Sequence, residues 1–225
     1  MRESIGYICC NMSNSSQPTP DSSAPEGVTA SRRRPRPGER REQILHVLAA
    51  MLEQPGAERI TTAALARQLS VSEAALYRHF ASKAQMFEGL IDFIERSVFT
   101  LVRQVVDHPG EAGGAQRATH ITAMVLQFAE RNPGMVRVMV GDALVFENER
   151  LQQRMNLFFD KLEATLRQCL RPAAEDDGAA APTLQAQVRA AALCDLLRGR
   201  LQRYARTGFR RLPTEHMDAT LALMV

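Results

Sequence analysis

Tryptophan is absent from this chain and aromatic residues make up only 5% of it, so the 45% apolar share rests on Leu, Ala, Val and Met. Those residues favour helices over pleated strands, which argues against an all-β fold. Long apolar runs are missing too: none approaches the roughly 20 residues that cross a bilayer. The N-terminus, MRESIGYICCNMSNSSQP, lacks the basic start and apolar stretch of a signal peptide, and the expectation is a cytoplasmic chain that makes no use of a membrane. Cysteine is scarce, and Cys9, Cys10, Cys169 and Cys194 show no C-x-x-C spacing, so neither a metal site nor a disulfide framework is expected and the four read as free thiols. Catalytic signatures are also wanting. There is no phosphate-cradling glycine loop, no H-E-x-x-H and no nucleophile elbow, and His46, His79, His108, His120 and His216 are dispersed. An enzyme is not indicated, and no cofactor is implied.

What the chain does have is charge in one place. Its formal net charge of +3 hides an uneven distribution. Residues 1–31 hold one Arg against three acids, residues 32–83 hold nine Arg and one Lys against five acids, and residues 84–225 are balanced at seventeen of each sign. Within the basic segment, SRRRPRPGERR places six arginines in the ten positions from Arg32 to Arg41. Such a run attracts phosphate through counterion release, with Arg32, Arg33 and Arg34 at its start, although a solvated tail has the same composition.

Residues 1–38 are rich in Ser, Pro and Arg without apolar periodicity, and they read as a disordered arm. From Glu39 the pattern turns helical, with Ile44, Leu45, Leu48, Met51 and Leu52 at helical spacing until Pro55-Gly56. Thr61 or Thr62 caps a short segment, Ser70-Val71 makes a tight link, and Ser72 caps EAALYRHF. Ser82 then opens a capping box with Gln85 and a long stripe from Met86 to Val105. Further helices are expected over about 115–130, from Pro133 behind an Asn132 cap, over about 148–170, from Leu184 to Tyr204, and from Thr214, with Pro172 to Pro182 as a loop. The fold class is therefore all-α: a trihelical unit over residues 39–83 joined to a helical body over residues 84–225.

Two short helices joined by a tight turn suit a helix-turn-helix, in which the first braces the second and the second enters the major groove. Leu65, Leu69, Val71, Leu76 and Phe80 form the inner set, while Ala74 and Arg78 lie on the opposite face of the second helix. Ala74 suits a thymine methyl, and Arg78 suits guanine or phosphate. Thr61, Thr62, Ser72, Tyr77, His79 and Lys83 supply hydroxyl, imidazole and ammonium groups for phosphate, though Thr61 and Ser72 serve equally as caps, Tyr77 as filler and His79 as a surface imidazole. Their clustering in the net-basic segment favours double-stranded DNA as the partner. One reading helix covers few base pairs, so a homodimer on a palindromic site is expected.

The segment Ile60 to Phe87, with its aromatic-x-His-Phe-x-x-Lys string at Tyr77, His79, Phe80 and Lys83, resembles the TetR family of regulators. Ser70 stands where that family usually carries Gly. FIERS from Phe93, and the stretch from Phe128 to Arg171, resemble the nucleoid occlusion branch of the family. That resemblance implies a dimer on specific chromosomal sites that antagonises the division tubulin FtsZ over the nucleoid. It further implies an FtsZ C-terminal tail held by Phe93, Arg131 and Asn132, with Asn132 also fitting a plain N-cap. TetR-like dimers join their last two long helices, which would use Leu193, Leu196, Leu197, Leu201 and Tyr204 here. The competing reading is a conventional TetR repressor released from its operator by a small apolar ligand, with Met124, Phe128, Met135, Met139, Phe146 and Phe158 as pocket residues that equally suit a core.

Overall fold

The computed structural model describes residues 38–54, 60–108, 110 and 112–225. Arg32, Arg33, Arg34, Cys9 and Cys10 lie outside the described residues. Among those described there are nine α-helices, one 3-10 turn and no strand. The helices are α1 (Glu39–Leu52), α2 (Thr62–Gln68), α3 (Glu73–Tyr77), α4 (Lys83–Asp107), α5 (Gly114–Arg131), α6 (Pro133–Met139), α7 (Glu149–Asp176), α8 (Pro182–Arg206) and α9 (Met217–Met224), with the 3-10 turn at Asp142–Leu144. The described residues belong to one compact unit.

Local chemistry starts several of these helices. Thr61, Ser72 and Ser82 accept from the backbone N–H groups of Ala64, Ala75 and Gln85 at 3.1, 3.3 and 3.2 Å, satisfying donors that a helix start leaves open. The Gln85 side chain reaches back to the N–H of Ala81, one residue earlier than a standard capping box. Pro182 occupies the first position of α8, where its missing N–H is harmless.

Three sequence expectations give way to tertiary forces. First, α7 continues through Pro172 to Asp176. Proline forfeits one intrahelical bond, but Ala173 and Ala174 are strong helix formers and Ala174 is fully buried. Second, α9 begins at Met217 rather than Thr214, because the Arg200 guanidinium takes the carbonyls of Pro213 and Glu215 at 2.8 and 2.6 Å and the Thr220 hydroxyl at 2.8 Å. Those carbonyls are then occupied, and His216 turns the chain with a φ of 51°. Arg200 is thus a buried clamp on the C-terminal segment, although it lies in a basic run that suggests solvation. Third, Asn132 makes no side-chain cap on α6; its Nδ2 donates to the carbonyl of Phe128 at 2.7 Å and closes the end of α5 instead.

α7 and α8 pack as an antiparallel pair, α5 lies against both, and α4 joins α5, α6 and α7. Leu193, Leu197, Leu201 and Tyr204, expected at a dimer interface, are buried inside the single chain. They form the stripe of α8 that faces its own core, and the Tyr204 hydroxyl donates to the carbonyl of Glu130 at 3.3 Å. Only Leu196 of that set remains partly uncovered. The exposed apolar residues of the pair are Leu157, Leu184 and Val188. The two described cysteines are buried, and burial pushes the Cys194 thiol up to about 11.

The body meets α1 through α6. A Cβ built on Gly134 would stand 2.0 Å from the carbonyl oxygen of Ala49, which is backbone and cannot rotate away. Gly134→Ala is therefore expected to force α1 and α6 apart and lower stability by about 1–3 kcal/mol, read as a lower thermal midpoint. An unchanged midpoint would mean that this joint is looser than its geometry.

Candidate nucleic-acid interface

The link between α2 and α3 is short because it is closed by backbone bonds. The N–H groups of Ser70 and Val71 reach the carbonyls of Arg67 and Ala66, each at 3.0 Å, with Ser70 in the left-handed region at φ 54°. This is the Schellman pattern with Ser in place of the usual Gly, at a cost on the order of 1 kcal/mol. Leu65, Ala66, Leu76 and Phe80 are buried, and Leu69 and Val71 pack against them. The inner set read from the sequence is thus the inner set of the fold.

Five side chains of the outer set, Thr61, Ala74, Tyr77, Arg78 and His79, are exposed, as is Ser72. Ala74 is the second residue of α3, whereas Arg78 is its C-cap residue. The helix is shorter than the segment EAALYRHF suggests, since the N–H groups of His79 and Phe80 both converge on the carbonyl of Leu76. Thr61 and Ser72 use their oxygens to cap, which leaves each hydroxyl proton available to a phosphate. Thr62 differs: it is half-buried and its hydroxyl donates to Glu73 at 2.7 Å, so its proton is already committed.

Lys83 is also not the open cation its place at the start of α4 suggests. Its ammonium is paired with Glu147, just before α7, and lies near the Phe87 ring. Behind it, Arg150 pairs with Glu88, and Arg154 reaches Asp92 and Glu95 at 2.8 and 2.6 Å. These pairs tie α7 along α4. Being partly solvated, they contribute modestly each.

One contact went unrecognised in the sequence. Arg41 on α1 donates from Nη1 to the carbonyl of His79 at 3.2 Å and lays its guanidinium 4.2 Å from the centre of the Phe80 ring. The signal was present: Arg41 falls three and seven residues before Ile44 and Leu48, on the stripe that faces the core.

The residues expected to hold a partner peptide divide. Phe93 on α4 is partly buried against the core, and Arg131 at the end of α5 is exposed. Asn132 is only 9% exposed, with its amide turned to the end of α5. As for a small-ligand pocket, Met124, Phe128, Met135, Met139 and Phe158 are core residues and Phe146 is exposed. The half-open hollow between α6, α7 and α8, about 220 Å³, includes only Met139 of these six and is rimmed by Gln152, Asn156, Arg198 and Gln202. Among the described residues no three potential ligand side chains gather to hold a metal ion.

Because Arg78 is exposed, Arg78→Ala is expected to leave the melting temperature unchanged. Its specific DNA affinity should fall by about 1–3 kcal/mol, with relaxed preference at one base-pair position. Equal losses on all duplex sequences would reassign Arg78 to phosphate.

Comparison with known proteins covers both parts of this architecture. Residues 44–90 match the model of bacterial regulatory proteins of the tetR family, and residues 114–225 match the SlmA-like model of the tetracyclin repressor-like C-terminal domain. The nucleoid occlusion factor SlmA of Vibrio cholerae is 48% identical over 186 residues, spanning 82% of this chain and 93% of that protein. The one of Photobacterium profundum is 49% identical over 180 residues, spanning 80% and 90%. Among solved structures, a TetR-family transcriptional regulator from Bordetella parapertussis superposes with a TM-score of 0.64 at 20% identity, over 84% of this chain and 95% of that one. FadR from Bacillus subtilis, solved in complex with stearoyl-CoA, gives 0.62 at 14% identity, over 82% and 97%. These two likenesses speak for the fold alone. Identity near one half across head and body together is a different matter, and by it the chain belongs to the SlmA nucleoid occlusion factors of the TetR family.

Proposed function

We propose that this chain binds specific chromosomal sites as a homodimer and restrains cell division over the nucleoid by antagonising FtsZ assembly. The observation that carries the reading is that likeness to SlmA proteins spans 90–95% of the length of the relatives compared, body included, and not the reading head alone. On the DNA side, Ala74 and Arg78 supply base contacts, while Thr61, Ser72, Tyr77 and His79 steady the phosphates. Lys83 joins them by exchanging Glu147 for a phosphate oxygen, and Thr62 by releasing Glu73. α1 starts at Glu39, and Arg41 in its first turn touches His79 next to the reading helix. Arg32, Arg33 and Arg34, by the charge of their run, add attraction for phosphates flanking the site. A role of this kind is carried out at the nucleoid, in the cytoplasm.

For the dimer, the outward side of the α7–α8 pair replaces the buried stripe. Leu157, Leu184 and Val188 are 55%, 61% and 59% exposed, Leu196 is partly open, and a Cβ on Gly199 would meet nothing within 4 Å. Helices with an apolar outer face and a small residue can approach a second copy closely. Val188→Asp is expected to convert the dimer to monomer in light scattering with its helical content kept, and to weaken binding to a palindromic duplex. A Val188→Asp protein that stays dimeric removes this face from consideration.

For the division partner, Phe93 offers an apolar anchor and Arg131 a cation, suiting a tail peptide that carries both apolar and acidic residues. Fluorescence anisotropy of an FtsZ C-terminal peptide, titrated with the protein with and without its DNA site, is expected to rise in both cases and to lose most of its amplitude with Phe93→Ala. No binding in either condition would leave an ordinary repressor as the better description.

A further inference from the structure

A reading helix of five residues makes very few hydrogen bonds of its own, so its aim depends on what holds its two ends. The N-terminal end is held twice, by the Ser72 oxygen on the N–H of Ala75 and by Thr62 on the Glu73 carboxylate. Along its inner side, Leu76 is buried. The C-terminal end carries the reader: Arg78 is the C-cap residue, with His79 next and Phe80 buried after it. The carbonyl of Leu76 already serves His79 and Phe80.

The carbonyl of His79 accepts from Arg41, at 3.2 Å, and the same guanidinium covers the Phe80 ring at 4.2 Å. A planar fork suits both contacts at once, since one nitrogen donates in the plane while the face stacks on the ring. A lysine ammonium offers a point charge with neither the plane nor the fixed fork. We propose that Arg41 is a positioning residue for sequence reading: it fixes the backbone on the far side of Arg78, and thereby the direction in which the Arg78 side chain leaves α3. Its charge is secondary to its shape. This rests on the DNA-binding reading of the helix-turn-helix.

The experiment uses the full chain and two duplexes, one selected by the wild-type protein from a randomised pool and one of shuffled sequence and equal composition. Arg41→Lys keeps the charge and loses the plane; Arg41→Met keeps the stem over Phe80 and loses the donor. Both variants are expected to bind the selected duplex about tenfold more weakly while matching wild type on the shuffled duplex. The slope of log affinity against log salt should stay unchanged for Arg41→Lys. If Arg41→Lys binds the selected duplex as wild type does, the proposal fails. Weakening of Arg41→Met on both duplexes, with a salt slope smaller by about one, would make Arg41 a phosphate contact instead. Thermal melts of both variants accompany the titrations: equal midpoints tie the loss to aim, and a loss seen only with a lowered midpoint overturns the proposal. A wild-type protein that fails to distinguish the two duplexes would sink the DNA reading itself, a different outcome from any of these.

Discussion

The buried contact of Leu76 and Phe80 with the rest of the head is what the whole arrangement depends on. Without it α3 would have no reason to stay folded, because one turn of helix fixes more dihedral angles than its hydrogen bonds offset. α3 packs against α2, and Leu76 and Phe80 share one buried core with Leu65 of α2, Ile44 and Leu48 of α1, and Met86, Phe87 and Leu90 of α4. α4 then continues for 25 residues into the body, a rod of roughly 37 Å at 1.5 Å per residue. The position of the reading face is therefore inherited from the packing of the body.

That inheritance runs along two routes. On one, α7 is pinned to α4 by Arg150 and Arg154 and their carboxylates, and the turn before it by Lys83 and Glu147. On the other, α6 presses Gly134 against the backbone of α1 at Ala49, leaving no room for even a methyl group. The Asn132 amide closes the end of α5 two residues before Gly134. Arg131 sits beside it on the surface, so a partner that engages Arg131 touches the start of a tightly packed connection to the head. Farther along, Arg200 holds the last segment through three acceptors. Those three bonds are what make a buried guanidinium tolerable.

Much of this was legible beforehand, for identifiable reasons. Caps act within three residues, so Thr61, Ser72 and Ser82 announced α2, α3 and α4. The stripe from Met86 to Val102 announced a long amphipathic helix, since only burial explains its spacing. Ala74 and Arg78 stood opposite Leu76 by helical geometry, and they remain open to solvent. Other features depend on residues distant in sequence. Lys83 looks like an open cation until Glu147 arrives from the far end of the turn before α7, and Thr62 looks like a spare donor until Glu73 takes its proton.

The amino-acid order by itself determined that the chain is helical, where its helices start, and which face of the reading helix is apolar, because these follow from backbone capping and from side-chain period along one helix. Tertiary structure alone decided which apolar stripe of α8 serves the chain's own core and which faces outward, whether Pro172 ends a helix, and whether a given charge is free or paired. A stripe has no address in sequence: Leu197 and Val188 are equally apolar, and only the arrival of α5 and α7 on one side buries the first and leaves the second to meet another surface.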